Sequence, residues 1–336
     1  MCGIAGYIRT TGHLSSPTRL QQLARSLLLG IETRGHDATG YGYVESGSDK
    51  AVCVTKAPIK ASEFLAIDGH LLAKRKLKKM PTNLLLHTRS ATQGKPENNS
   101  NNHPVYSKAS GLCLIHNGWA INDEEVKKNF KLDTDAQVDT EVYLKLIEHF
   151  YFGEAKMQVP QAVALATEQV WGNFSCAMIQ GGKPQKLWVW RTQGDLELVR
   201  TDLGYVFCSK LSDLRSALYF GTHSCDITFL EWLNLENNML AELRSDGSAV
   251  TIKLKVPEWE TLPTQYSNRV TPVQTWYSGN MTKHWQRKKG ITTEPVKVQT
   301  NLPTMIEKQV EAELGLKSVQ EVDTTPSYIW PGYGDD

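Results

Sequence analysis

The cysteine at position 2 is the residue whose type and position most clearly suggest a chemical role. Because its side chain is small, we expect Met1 to be removed during synthesis, which leaves a thiol and a free α-amine on Cys2. An α-amine has a pKa of about 7.7–8.0, so it can act as a general base at neutral pH. Pairing a nucleophile with an N-terminal amine is a recognised route of activation. Cys2 is therefore a candidate nucleophile.

The other residue types that commonly carry chemistry form no pattern. The remaining cysteines are single, none forms a C-x-x-C pair, and we expect them to be unreactive: Cys53, Cys113, Cys176, Cys208 and Cys225. The histidines are dispersed, with no H-E-x-x-H motif. Gly182-Lys183 precedes Pro184, where a phosphate-binding loop needs Ser or Thr. We expect neither a metal nor a cofactor.

Composition excludes several classes of partner. The chain has 336 residues, with 37 Lys and Arg against 36 Asp and Glu. This balance gives no reason to expect a nucleic acid or a membrane surface as the partner. The basic runs at 74–79 and 285–290 are interpreted as a solvated helix end and a solvated loop. The first residues lack the basic and apolar regions of a signal peptide, and we expect a cytoplasmic protein.

The apolar pattern predicts elements that could position Cys2. Strands are predicted at 3–9, 83–87 and 111–116, and helices at 61–79 and 138–152. Further elements are a helix from Pro17, a hairpin across the turn at 45–50, a helix capped by Asn122 and Glu125, a helix near 211–219 and a hairpin at Asp246-Gly247. Because strands and helices are grouped and do not alternate strictly, the sequence predicts an α+β fold.

Several motifs occur in a fixed order along the chain. They are MCGIAGYI at the start, Arg34-Gly35-His36-Asp37-Ala38-Thr39-Gly40, His87-Thr88-Arg89-Ser90-Ala91-Thr92-Gln93-Gly94, Asn102-His103-Pro104, His116-Asn117-Gly118 and Asp139-Thr140-Glu141. Together they resemble the class II glutamine amidotransferases, a family of N-terminal-nucleophile hydrolases, and within it the glutaminase domain of glucosamine-6-phosphate synthase. The resemblance implies a four-layer αββα sandwich over 1–256.

The resemblance also implies a role for each motif residue. Cys2 would be the nucleophile, and the Asn117 amide with the Gly118 backbone N–H would form the oxyanion hole. Asn-Gly is also the strongest short turn signal, so a hairpin turn is the alternative there. Arg89, assisted by Thr92, would bind the glutamine α-carboxylate. The alternative for Arg89 is a surface ion pair.

The resemblance places the remaining site residues around these. Asp139 would bind the α-ammonium group together with the Gly118 carbonyl, although a carboxylate that favours a helix N-terminus explains it too. Arg34 and Asp37 would support the loop around Cys2. The chain departs from the family at Ser90, where the synthase domain has tryptophan, and at Gln93, where it has histidine. Both departures put loop closure over glutamine in doubt.

The composition changes near Pro257. Residues 257–336 are rich in proline and polar, and we interpret them as an extended tail that either docks on a partner, wraps on its own domain or is disordered. Trp259, Trp276, Trp285 and Trp330 favour docking. The tail is too short for a synthase domain, so we expect a separate acceptor subunit.

The expected function is a glutaminase that hydrolyses the side-chain amide of L-glutamine through a thioester on Cys2 and releases ammonia for that acceptor. Two alternatives stay open. One is a hydrolase of another γ-glutamyl amide that transfers no ammonia. The other is a non-catalytic scaffold that binds a partner through its tail, and the presence of Cys2, Arg89, Asn117, Gly118 and Asp139 together argues against it.

Overall fold

The computed structural model describes residues 1–11, 16–45, 51–67, 71–73, 79–153, 157–219 and 227–257. All of them lie in the first of the two units into which the chain divides, Met1–Val270. The predicted tail lies outside the described residues beyond Pro257, and so do its four tryptophans and Cys225. The domain boundary at 256 stays a prediction.

The described strands form two antiparallel sheets. The strands are β1 (Gly3–Arg9), β2 (Ala38–Val44), β3 (Val52–Ala57), β4 (Asn83–Arg89), β5 (Val105–Tyr106), β6 (Leu112–Ala120), β7 (Gly172–Gln180), β8 (Lys186–Arg191), β9 (Glu197–Thr201), β10 (Gly204–Cys208), β11 (Phe229–Leu233), β12 (Met239–Arg244) and β13 (Ala249–Lys253). Sheet A has the order β11-β9-β10-β1-β4-β2-β3, and sheet B the order β13-β12-β8-β7-β6-β5. Sheet A therefore places the strand that begins after Cys2 at its centre.

The helices cover the outer faces of the two sheets. They are α1 (Pro17–Ile31), α2 (Ala61–Phe64), α3 (Asp123–Asn129), α4 (Asp139–Tyr151), α5 (Val159–Glu168) and α6 (Leu211–Tyr219). In α1 the leucines at helical spacing, such as Leu20 and Leu27, are buried against sheet A together with residues of α2 and α6. On sheet B, the Tyr143 ring of α4 packs against Phe174 and Trp190.

A second apolar core fills the space between the sheets. Ile4 and Leu85 of sheet A meet Ile115 and Val189 of sheet B there, and all four are fully buried. The layer order is thus helices, sheet A, sheet B, helices. The predicted α+β class and four-layer αββα sandwich are confirmed.

Two local predictions were wrong. The described part of the predicted helix 61–79 is helical only over Ala61–Phe64. Side chains of α1 take the place of helix hydrogen bonds here: Gln21 donates to the carbonyls of Leu71 and Leu72, and Arg25 also donates to the Leu72 carbonyl.

The second wrong prediction is the side-chain cap at the start of α3. Asn122 precedes the first turn as predicted, but its side chain does not cap the helix. It instead donates to Gln169 O and accepts from Trp171 N, at 2.9 Å each, and so links the start of α3 to the segment before β7.

Asn83 joins the two sheets near one end of the sandwich, and its substitution is the first test of this packing. The fully buried side chain accepts from Val44 N at 3.0 Å and donates to Pro184 O at 3.1 Å and Lys186 O at 3.0 Å. Asn83→Ala leaves these groups unpaired, so we expect the free energy of unfolding to fall by roughly 3 kcal/mol in urea denaturation. Asn237→Ala, at an exposed position, is the control. Equal stability of the two variants would contradict the linking role.

Candidate active site

Cys2 lies at the beginning of the central strand of sheet A and is half-buried. Its Sγ is 3.6 Å from the carbonyl oxygen of Ser90, to which the thiol donates. Burial raises the pKa of the thiol, the N-terminal ammonium group and Arg89 lower it, and Asp139 raises it. Because burial is the largest of these effects, the thiol is protonated at neutral pH and needs a base before it can react.

The residues of the Arg34–Asp37 loop hold Cys2 and the end of β4 together. The Arg34 Nε donates to the Cys2 carbonyl at 2.9 Å. The Asp37 backbone N–H donates to Arg89 O at 3.0 Å, and its carboxylate accepts from Ala91 N at 2.7 Å. Gly35 permits this approach, because a Cβ there would lie 2.4 Å from the Arg89 carbonyl carbon. The contacts place Arg34 and Asp37 beside Cys2 and the end of β4.

Arg89 is the last residue of β4 and is 3% exposed. Its guanidinium donates to Asn102 Oδ1 at 2.9 Å, to Gly94 O at 2.9 Å and to Gln93 O. Burial lowers the pKa of Arg89, while Cys2, Asp37 and Asp139 raise it. The alternative of a surface ion pair is wrong, because the guanidinium is buried and its hydrogen bonds go to two carbonyls and an amide.

Asn117 and Gly118 lie inside β6 and not in a turn, which overturns the hairpin alternative. The Asn117 side chain is 5% exposed and forms no hydrogen bond with any described residue. Gly118 has a φ of +146°, and a Cβ on it would lie 2.3 Å from Asn173 O, so only glycine fits. The pair therefore offers a nearly buried amide with unused hydrogen-bonding capacity beside an unusual backbone conformation.

Asp139 is the first residue of α4, so it is also a carboxylate at a helix N-terminus. One oxygen, Oδ2, accepts from the Ala120 backbone N–H at 2.9 Å. The other, Oδ1, lies 3.7 Å from His116 Nδ1. Hydrogen bonds to the loop after β4 bring the three predicted residues together, since the Cys2 thiol donates to Ser90 O, next to Arg89, and Gln93 accepts from both Arg89 and the Asp139 backbone N–H.

The loop that follows Arg89 carries Ser90 and Gln93, the two positions at which the sequence departs from the motif that it resembles. Thr92 is exposed, and Ser90 contributes its carbonyl to the Cys2 thiol. Gln93 accepts from the Asp139 backbone N–H at 3.0 Å through Oε1 and donates to Asp123 Oδ2 at 3.4 Å through Nε2. Gln93 thus connects this loop to the first turns of α3 and α4, and so holds the loop next to Asp139.

Sequence reasoning missed a buried cluster behind these residues, formed by His87, His103, His116 and Thr140. The four side chains are at most 5% exposed. The rings of His87 and His103 stack with centroids 4.2 Å apart, and His87 Nε2 lies 3.1 Å from the His116 carbonyl oxygen. Each histidine belongs to one of the motifs, which was the available signal. Spacing along the chain could not show that they meet.

Burial lowers the pKa of all three histidines, that of His87 to about 3. Lys56 and Arg89 lower the pKa of His87 and His103 further, and Asp139 raises the pKa of His116. Burial also lowers the pKa of Lys56 to about 8. The cluster is therefore neutral at pH 7.

The lowered histidine pKa values predict acid destabilisation that begins near neutral pH. An unfolded histidine takes up a proton below about pH 6.5, whereas the folded cluster does not, so stability is complete above pH 6.5 and is lost as the pH falls. We expect His87→Gln to reduce this slope between about pH 6.5 and 5, measured by urea denaturation across that range. His36→Gln, at an exposed position, is the control. An unchanged slope in the His87 variant would contradict the assignment of a neutral buried ring.

The described residues include neither a metal-binding group nor a helix that could span a membrane. No group of three or more His, Cys, Asp or Glu side chains among them is arranged to hold a metal ion. None of the helices in that part of the chain is both long and apolar enough to cross a membrane.

Comparison with known proteins gives relatives in sequence. The chain is 31% identical over 195 residues to the glutamine–fructose-6-phosphate aminotransferase (isomerizing) of Corynebacterium diphtheriae. The aligned region covers 56% of this chain and 29% of the relative. The chain is 30% identical over 206 residues to the Thermococcus kodakarensis enzyme of the same name, covering 59% and 30%. The chain thus spans about three tenths of the length of these relatives. No protein-family model matches it.

Comparison with solved structures gives relatives in fold. The glutamine phosphoribosylpyrophosphate amidotransferase of B. subtilis superimposes with a TM-score of 0.55 at 16% identity, over 76% of this chain and 50% of that one. A structure of the allosteric regulatory enzyme of purine biosynthesis gives 0.57 at 17% identity, with the same coverage. In sequence and in fold, the chain is therefore similar to the class II glutamine amidotransferases, and its four layers are those of the N-terminal-nucleophile hydrolase sandwich.

Proposed function

We propose that the chain hydrolyses the side-chain amide of L-glutamine through a γ-glutamyl thioester on Cys2. The observation that carries the proposal is the meeting of two side chains of opposite charge, Arg89 and Asp139, at the loop whose Ser90 carbonyl accepts from the Cys2 thiol. An amino acid with a free α-carboxylate and α-ammonium group presents the complementary pair of charges. The similarity to glutamine-dependent enzymes supports glutamine as that amino acid.

The first step needs a base because burial raises the thiol pKa. Once Met1 is removed, the α-amine of Cys2 accepts the thiol proton while the sulfur attacks the amide carbon. The same amine then donates this proton to the departing nitrogen, the carbon–nitrogen bond breaks, and ammonia leaves. Water attacks the thioester in the second step, which releases glutamate and restores the thiol.

The oxyanion that forms in each step needs donors near the reacting carbon. The Asn117 amide suits this task because it is nearly buried and unpaired among the described residues, so no protein hydrogen bond has to break first. Gly118 follows it directly on β6 and supplies a backbone N–H. A donor that is already in place stabilises the transition state by about 3–4 kcal/mol.

The two charged residues would orient the substrate by binding its two charged groups, one each. Arg89 is fixed by Gln93 O, Gly94 O and Asn102, so its guanidinium is oriented before an α-carboxylate binds, with Thr92 on the same loop. Asp139 would bind the α-ammonium group with the Gly118 carbonyl. Its Oδ2 accepts from Ala120 N, which holds the carboxylate over the end of β6.

We propose further that the ammonia passes to a separate acceptor subunit. Transfer to an acceptor is supported by the similarity to relatives whose name describes transfer of the amino group of glutamine to another molecule. Hydrolysis of another γ-glutamyl amide is the alternative within the same chemistry. An assay that measures ammonia from glutamine and amine from a γ-glutamyl anilide separates the two.

The nucleophile is tested by covalent labelling. A reactive glutamine analogue should add to Cys2 alone, because burial raises the thiol pKa of Cys113 and Cys208 to about 12 and that of Cys176 well above its ordinary value. Cys2→Ala should lose both labelling and ammonia release while its circular dichroism is unchanged. Peptide mass spectrometry locates the adduct, and Cys53→Ala is the control because Cys53 is the other half-buried cysteine of the described residues.

The base is tested on the same protein. The intact mass of active enzyme should lack Met1, since only then does the α-amine belong to Cys2. Full activity in protein that retains Met1, or labelling at another cysteine, would refute the mechanism.

The oxyanion donor and the substrate-binding charges should differ in their kinetic effects. Asn117→Ala should lower kcat by about 10²–10³, as expected for one lost oxyanion donor. Arg89→Lys loses the planar fork, and Asp139→Asn loses the charge, so both should chiefly raise KM for glutamine. Steady-state kinetics of ammonia release measures both constants, with Asn237→Ala as the control. An Asn117 variant that changes only KM would contradict its assignment.

A further inference from the structure

The hydroxyl of Thr140 is the common point of the buried cluster. Thr140 is the second residue of α4 and is 1% exposed. Its Oγ1 lies 2.8 Å from His103 Nε2, 2.8 Å from His116 Nδ1 and 3.3 Å from Asp139 Oδ1. One small side chain therefore contacts two imidazoles and the carboxylate that the proposed mechanism uses to bind substrate.

The capacity of a hydroxyl determines the direction of these hydrogen bonds. A threonine hydroxyl donates one hydrogen bond and accepts two. A carboxylate only accepts, so the hydroxyl hydrogen goes to Asp139 Oδ1. Both imidazole nitrogens at 2.8 Å must then be N–H donors, which assigns the hydrogen to Nε2 in His103 and to Nδ1 in His116. His87 carries its hydrogen on Nε2, because its partner is the His116 carbonyl.

The other ring nitrogens agree with this assignment. His87 Nδ1, His103 Nδ1 and His116 Nε2 are buried and have no hydrogen-bond partner within the described residues. A proton on any of them would create a buried cation beside Lys56 and Arg89 with no acceptor for the new N–H. Each ring is therefore neutral and carries a single hydrogen at a defined nitrogen.

We propose that Thr140 is a positioning residue that holds the Asp139 carboxylate in the orientation that binds the substrate ammonium group. Asp139 receives one hydrogen bond on each oxygen, from Ala120 N on Oδ2 and from Thr140 on Oδ1, so the plane of its carboxylate is determined. The two imidazole donors in turn determine the rotamer of the hydroxyl. This inference rests on the proposed function, because the orientation matters only if Asp139 binds substrate.

The connection reaches the oxyanion residues as well. His116 immediately precedes Asn117 on β6, and its carbonyl accepts from His87 of β4. The His116 ring also packs edge-on against Phe174 of β7, with centroids 5.5 Å apart. These contacts hold the backbone and the ring of His116 independently of Thr140. We therefore expect a change at Thr140 to act first on the Asp139 carboxylate, and not on the fold around Cys2.

The test compares two substitutions that differ by a single group. Thr140→Val removes the hydroxyl with little change in shape, whereas Thr140→Ser keeps it. We expect Thr140→Val to raise KM for glutamine roughly tenfold with a much smaller effect on kcat, because about 1.4 kcal/mol of a charge-assisted hydrogen bond is lost from the bound state. Thr140→Ser should restore KM to near the wild-type value.

A matched control separates positioning from the general cost of a buried hydroxyl. Thr167 on α5 is also fully buried, and its hydroxyl bonds to Tyr143 and Val163 O, away from the site. Thr167→Val should lower the melting temperature and leave KM unchanged. A Thr140→Val variant with wild-type KM, or one that the serine variant does not rescue, would overturn the proposal.

A second measurement uses the wild-type protein and needs neither a variant nor activity. Nitrogen-15 NMR of the imidazoles distinguishes protonated from unprotonated ring nitrogens. We expect neutral rings at pH 7 with the hydrogen on Nε2 in His87 and His103 and on Nδ1 in His116. A different tautomer of His103 or His116 would overturn the proposal. If the wild-type protein releases no ammonia from glutamine, the proposed function fails, and the tautomers alone then decide whether Thr140 orients Asp139.

Discussion

The pairing of β4 with a strand on each side is the constraint on which the whole site depends. In sheet A, Thr88 pairs with Gly3 of β1, and Arg89 pairs with Ala38 of β2. These registers bring the beginning of the chain and the loop before β2 to the same end of the same strand. Because side chains alternate along a strand, Thr88 points to the α1 side and donates to Ile31 O, while His87 and Arg89 point toward sheet B.

The space between the sheets is lined by apolar side chains in one part and by polar side chains in another. It is an apolar core over most of its length, with Ile4, Leu85 and Ile115 in contact, and it becomes polar at Asn83 near one end and beside Cys2 at the other. Beside Cys2, one nitrogen of each histidine ring is paired, in His103 and His116 with the Thr140 hydroxyl and in His87 with the His116 carbonyl, a bond that crosses from one sheet to the other. Buried polar groups are tolerated when they are paired, so this cluster can be rigid without carrying charge.

The charge at the site belongs to Arg89 and Asp139, and both are held by backbone groups. Arg89 donates to two carbonyls of the following loop, and Asp139 accepts from the Ala120 N–H. Gln93 connects the two, since its carbonyl accepts from Arg89 and its side chain accepts from the Asp139 backbone. The side-chain amide of Gln93 that makes this connection is neutral, so the connection does not depend on pH near neutrality.

The sequence by itself determined the elements that depend on local pattern and the motif residues that carry chemistry. The spacing of the leucines in α1 and the grouping of strands were sufficient for the α+β class. The resemblance of the motifs implied the αββα layers and pointed to Cys2, Arg89 and Asp139. Tertiary structure decided the rest: Asn117–Gly118 is a strand because β7 pairs with it, and the predicted helix after Ala61 ends at Phe64 where α1 side chains bind the backbone further along. His103 and His116 meet at Thr140 because the start of α4 packs on β6, and His87 joins them because the two sheets face each other. Contacts between distant segments arise from packing, which no local spacing encodes.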